Sequence, residues 1–206
     1  MSRTPPAPRT AKGRDSRERI VEAAAALMSL RGVEATSVDA VLEEAGAGKS
    51  QLYHYFGDKQ GLVRAVVAHR DETVVHRQGE LLAAVRSWAD LHEWFDGVLA
   101  GQVASRCRVG CPVGSLAGEL SERDDESRRQ LAAAFTRWEQ DIAAALDRLR
   151  AAGLLSAAAD TAALAAMTLA TIQGALLLTR TTRDPQRLRT VLEEVFGYLR
   201  SYDTSG

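Results

Sequence analysis

Residues 36–62 read Thr36-Ser-Val-Asp-Ala-Val-Leu-Glu-Glu-Ala-Gly-Ala-Gly-Lys49-Ser-Gln-Leu-Tyr-His-Tyr-Phe56-Gly-Asp-Lys-Gln-Gly-Leu62. The stretch predicts two short helices joined by a tight Gly turn, followed by the start of another helix. Thr36 with Asp39 caps the first, and Val38, Val41, Leu42 and Ala45 form its apolar stripe. Gly46 ends it. In the second short helix Leu52 and Phe56, four apart, face a core, which leaves Lys49, Gln51, Tyr53 and His54 toward solvent. Cationic, amide and hydroxyl groups on one face of a braced helix suit phosphate and base-edge contacts in a DNA major groove.

Two helices of about eight residues are marginal in water and need support. The flanking sequence supplies it. Asp15 and Glu18 fit a capping box, and Ile20, Ala23, Ala24, Leu27 and Met28 recur at helical spacing up to Gly32. Beyond Phe56, Asp58 caps a helix with Leu62, Val63, Val66 and Val67 inward, running to about Val85. Its positive N-terminus beside Lys59 is a further phosphate site.

The stretch from Arg17 to about Leu62 resembles the tetracycline-repressor (TetR) family of transcriptional regulators. The carriers are Thr36, Ala45-Gly46, Lys49, Leu52-Tyr53-His54-Tyr55-Phe56, Lys59 and Leu62. The resemblance implies phosphate contacts from Thr36 or Ser37, Tyr53 and Lys59. It implies base or nearby contacts from Lys49, Ser50, Gln51 and His54. Two positions depart from the family pattern: Gly48 replaces a Ser cap, and Gln51 replaces a smaller residue. Gln51 is therefore the residue expected to set operator preference.

The remainder predicts helices only: Trp88–Val103, a short segment Val113–Leu120, about Asp125–Arg150, about Thr161–Arg180 and Pro185–Tyr202. The fold class is all-α, about nine helices, with an N-terminal helix-turn-helix domain (15–64, extending into the helix to about 85) and a larger helical domain (65–206). Residues 1–14 are Pro-rich and basic, with Arg3, Arg9, Lys12 and Arg14, and read as a disordered arm.

Composition agrees. With 46% hydrophobic residues the chain buries a sizeable core, and its net charge of -1 gives no global signal for nucleic acid. Of 26 Lys and Arg residues only Lys12, Lys49 and Lys59 are lysine, and two of these flank the reading helix. There is no signal peptide, and the apolar run Leu164–Leu178 is short for a membrane span, so a cytoplasmic protein without membrane contact is expected.

A homodimer through the last two helices is expected on a pseudo-palindromic operator, because two reading helices must sit about 34 Å apart on the duplex. Ala162, Ala165, Ala166, Ala170, Gly174 and Ala175 form the small-residue face for close approach. Leu176, Leu177, Leu188, Val191, Leu192, Val195, Phe196 and Leu199 add bulk. Gly110–Ala117 and Ile172–Leu178 resemble the LmrA/YxaF-like subgroup, which implies release by a small apolar effector. Trp94, Phe95, Val98, Gln102, Leu116, Phe135, Trp138, Met167, Thr171 and Gln173 are the candidate lining. The alternative trigger is oxidation of Cys107 and Cys111. No catalytic cluster, metal-ligand spacing or cofactor loop is seen; His69, His76 and His92 are scattered. The chain reads as a regulator rather than an enzyme, without metal or cofactor.

Overall fold

The computed structural model describes residues 10–204. Arg3 and Arg9 lie outside them. Ten α-helical segments occur among the described residues, and no strand; Leu155 and Asp203 form an isolated bridge. Two of the segments, α4 and α5, join end to end through a π-helical turn, so the expected count of about nine helices holds. The chain divides into two compact units.

The first unit comprises the chain up to Thr73 together with Ser115–Leu131. Its α1 spans Ala11–Arg31 and begins earlier than expected. Thr10, not Asp15, caps it, accepting from the Gly13 N–H at 3.1 Å. Residues 11–14, read as part of the arm, are therefore helical. Asp15 is one turn inside and exposed. α2 (Val38–Ala45) is capped by Ser37, which accepts from the Ala40 N–H, not by Thr36. Thr36 turns inward, is 1% exposed, and donates its hydroxyl to the Gly32 carbonyl at 2.7 Å. Gly46 closes α2 in the left-handed region that glycine adopts freely.

α3 spans Lys49–Phe56 and α4 Lys59–Arg70. Asp58 caps α4 as expected, accepting from the Gly61 N–H at 2.7 Å. Gly61 has no room for a side chain: a Cβ there would lie 1.9 Å from the Phe56 carbonyl oxygen. Leu52, Phe56, Leu62, Val63, Val66 and Val67 join Ile20, Ala24 and Met28 of α1 in the core. Each leucine-sized side chain so buried contributes about 1.5–3 kcal/mol.

α7 (Pro112–Leu120) and α8 (Asp125–Ala151) each pass from one unit to the other, and the corner between them belongs to the first. That corner is tied to the helix-turn-helix at three points. Glu119 accepts from the Val33 N–H at 2.7 Å. Arg64 of α4 grips Asp124 with two hydrogen bonds of 3.0 and 2.7 Å, while Ser127 donates to the same carboxylate through its N–H and its hydroxyl. Arg123 pairs with Glu34.

After α4 comes the π-helical segment Asp71–His76, then α5 (Arg77–Ala83). The second unit runs from Val74 to Gly114 and from Ala132 onward. Ser87 and Asp90 form a capping box at the start of α6 (Trp88–Ala104). α9 (Thr161–Thr182) and α10 (Pro185–Arg200) form a hairpin, with Pro185 in the first turn of α10. Phe196 of α10 meets Trp88 and Phe95 of α6 edge to face.

α9 has the length and mean hydropathy (1.7) of a membrane span. One of its faces is in the core all the same, through Leu164, Leu169, Ile172 and Leu176. The other carries Ala162, Ala166, Ala170, Gly174, Leu177 and Leu178, all exposed. Several residues assigned from sequence to a dimer face, namely Ala165, Ala175, Leu176, Leu188, Leu192, Val195 and Leu199, are buried within the chain itself.

Candidate nucleic-acid interface

α3 is too short to hold itself, and three helices brace it. Leu52 and Phe56 point into the core between α1 and α4. Arg17 of α1 lays its guanidinium over the Phe56 ring at 5.2 Å. The solvent side then carries Lys49, Ser50, Tyr53 and His54, all exposed, Tyr53 by 57%. Their spacing of one and four places them along a single stripe.

Lys49 pairs with Asp39 of α2 at 3.0 Å, and both side chains are about two-thirds exposed or more. The hydrogen bond that Lys49 donates to the Asp39 carboxylate raises the Lys49 pKa, so the ammonium stays charged. Such an open pair is worth little in water and is readily exchanged for a phosphate. Lys59 reaches back to the Glu34 carbonyl at 3.3 Å, and Ser37 stands exposed at the start of α2. Of the two candidates Thr36 and Ser37, only Ser37 has a hydroxyl at the surface.

Gln51, expected toward solvent, is half-buried. Its side chain is turned toward α1, where Nε2 donates to Ser16 Oγ at 3.0 Å, while Oε1 accepts from the Gly48 N–H at 2.9 Å. Gln51 thus supplies the reaching-back half of a capping box, whose other half Gly48, without a side chain, cannot give. An open groove of about 450 Å³ runs past this contact, with Lys12 and Arg19 on its rim.

Residues 20–66 match the tetR family of bacterial regulatory proteins, and residues 88–194 match the C-terminal domain of LmrA/YxaF-like transcriptional regulators. This chain belongs to the TetR family. An HTH-type transcriptional regulator from the lacX 3' region of Lactococcus lactis is 34% identical over 193 residues, 91% of this chain and 93% of that one. LmrA of Bacillus subtilis is 29% identical over 172 residues, 82% and 89% of the two chains. The crystal structure of a TetR regulatory protein from Rhodobacter sphaeroides shares the fold, with a TM-score of 0.81 at 23% identity over 89% of this chain and 98% of that one.

The ten candidate lining residues of the TetR-family C-terminal part lie in different surroundings. A groove of about 710 Å³ between α5 and α6 includes Trp94 and Val98 together with Gln78, Leu81 and Glu93. Trp94 Nε1 donates to Gln78 Oε1 at 2.7 Å. Phe95 and Trp138 are core residues. Gln102 is buried and donates to the Gly110 carbonyl, and Leu116 falls in the first unit. Phe135, Met167, Thr171 and Gln173 are half-buried, and Thr171 donates to the Met167 carbonyl.

Cys107 and Cys111 are both free thiols and both buried. Burial pushes the Cys111 thiol up from its ordinary pKa, against the Gly114 N–H that donates to its sulfur. That favours the protonated form, which is the slow-reacting one.

Proposed function

We propose that this TetR-family regulator is a cytoplasmic repressor that binds a pseudo-palindromic operator as a homodimer and is released by a small, largely apolar effector. The observation that carries the reading is the exposed Lys49–Ser50–Tyr53–His54 stripe on a helix braced from three sides. Ser37 and Lys59 flank it and serve the phosphates, while Lys49, Ser50 and His54 face the base edges. The exposed Ala, Gly and Leu face of α9, with α10 beside it, is the dimer surface. The groove between α5 and α6 has the size of a small-molecule site and a mixed lining of Trp94, Val98 and polar groups. The reading head is the first unit, and the effector and dimer surfaces are in the second.

Operator selection with the purified protein, followed by gel retardation, tests this. Lys59→Ala is expected to weaken binding evenly across operator variants and to reduce the salt slope by about 0.9 per half-site. His54→Ala is expected to relax preference at one base position, by about 1–3 kcal/mol. A ligand that abolishes retardation supports effector release. If thiol oxidation abolishes it and a ligand screen does not, the small-molecule reading fails.

A further inference from the structure

The two departures of this chain from the family pattern, Gly48 and Gln51, are one structural feature. A glycine before α3 leaves the first turn without a side-chain cap. Gln51, three residues on, closes that turn from the other direction by accepting from the Gly48 N–H. The same amide then donates to Ser16, which is 5% exposed on α1. The neighbour of Ser16, Arg17, covers the Phe56 ring at the far end of α3. Two consecutive residues of α1 thus hold the two ends of an eight-residue helix.

We propose that Gln51 is a positioning residue: through Ser16 it sets how α3 presents Lys49, Ser50, Tyr53 and His54, and it reads no base itself. Bidentate recognition of adenine needs both the oxygen and the nitrogen of the amide. In this chain both are engaged. Turning them to a base edge strips the buried Ser16 hydroxyl of its partner and uncaps α3, so the exchange gives back what the base contact gains. Operator preference then resides in Lys49, Ser50 and His54, and affinity depends on Ser16, which is too far inside to touch DNA.

The inference rests on the DNA-binding reading, and two measurements keep them apart. The first needs no DNA. Amide hydrogen exchange in the free protein is expected to quicken in the first turn of α3 in both Ser16→Ala and Gln51→Ala. The second ranks every single-base variant of the selected operator against the wild type, the two variants and the double variant. Ser16→Ala and Gln51→Ala are each expected to weaken binding by about 3- to 10-fold. The double variant is expected to bind no more weakly than Gln51→Ala alone. The ranking of bases should be unchanged throughout. The proposal is overturned if Gln51→Ala alters preference at one base position while Ser16→Ala leaves affinity untouched. It is equally overturned if neither substitution changes affinity or exchange.

Discussion

Replacing Leu177 and Leu178 together with glutamate is expected to convert the protein from a dimer into a folded 22.2 kDa monomer and to lower operator affinity by about 10²- to 10⁴-fold. In the single chain these leucines are 64% and 48% exposed, and Tyr198 of α10 is 48% exposed. None contributes to its own core. They continue a ridge of Ala162, Ala166, Ala170 and Gly174, spaced four apart on α9, where another helix can approach closely. An α-helix that is apolar on both faces needs two partners. α10 and the rest of the second unit cover one face, and in the homodimer proposed above a second copy would cover the other. Carboxylates at that seam would face each other unpaired, while the folded monomer would carry them in water at little cost. The loss on DNA follows from linkage: with two joined heads the second half-site is bound at high effective concentration, and a monomer forfeits that. Sedimentation and gel retardation read the two effects separately. A variant that remains dimeric and binds normally places the interface elsewhere.

Asp124→Ala is expected to destabilise the first unit by about 2–3 kcal/mol, lowering the melting temperature by roughly 5–10 °C. The carboxylate is 9% exposed and meets four donors, two from Arg64 and two from Ser127. Its removal leaves the buried Ser127 groups without an acceptor. Arg64, about one-third exposed, turns partly to water, which limits the cost. The same contact makes a pH prediction. The Arg64 guanidinium, assisted by Ser127, holds the Asp124 carboxyl well below the usual carboxylate range. A group whose folded pKa is depressed stabilises the fold above its ordinary value, about 4, and that contribution fades as pH falls below it. The wild-type melting temperature should therefore drop between about pH 5 and 3, and Asp124→Asn should flatten part of the drop. Asp90, Asp125 and Glu126 are lowered as well, so part of the slope remains. Thermal melts across that range decide it. Equal slopes in the two proteins would show that the Arg64 contact adds nothing to stability.

The helices were legible because apolar residues recur at 3.6 spacing and Gly or Pro punctuates them. Which residue caps a helix was less so. Thr36 and Ser37 are chemically alike, and only the backbone path decides which turns inward. The orientation of Gln51 depended on a partner 35 residues away on α1. Glu119 and Asp124 meet Val33 and Arg64 across 86 and 60 residues, and no local pattern marks that. The π-helical segment was hidden for another reason. Val63 is buried, and eighteen residues, or five α-helical turns, further on stands Leu81. Yet Leu81 is exposed and Leu82 is buried. The π turn delays the stripe by one residue, a shift that periodicity alone averages away.

Gly61 gives the joint between α3 and α4 no slack. Its backbone is seated against the Phe56 carbonyl so closely that not even a methyl group fits, and Asp58 locks the turn from the other side. A hinge with play would absorb a small tilt of α4. This one has none, so α3 and the first turn of α4 hold together as one piece. In the repressor proposed above, a tilt of α4 would therefore reach the side chains of α3 without loss.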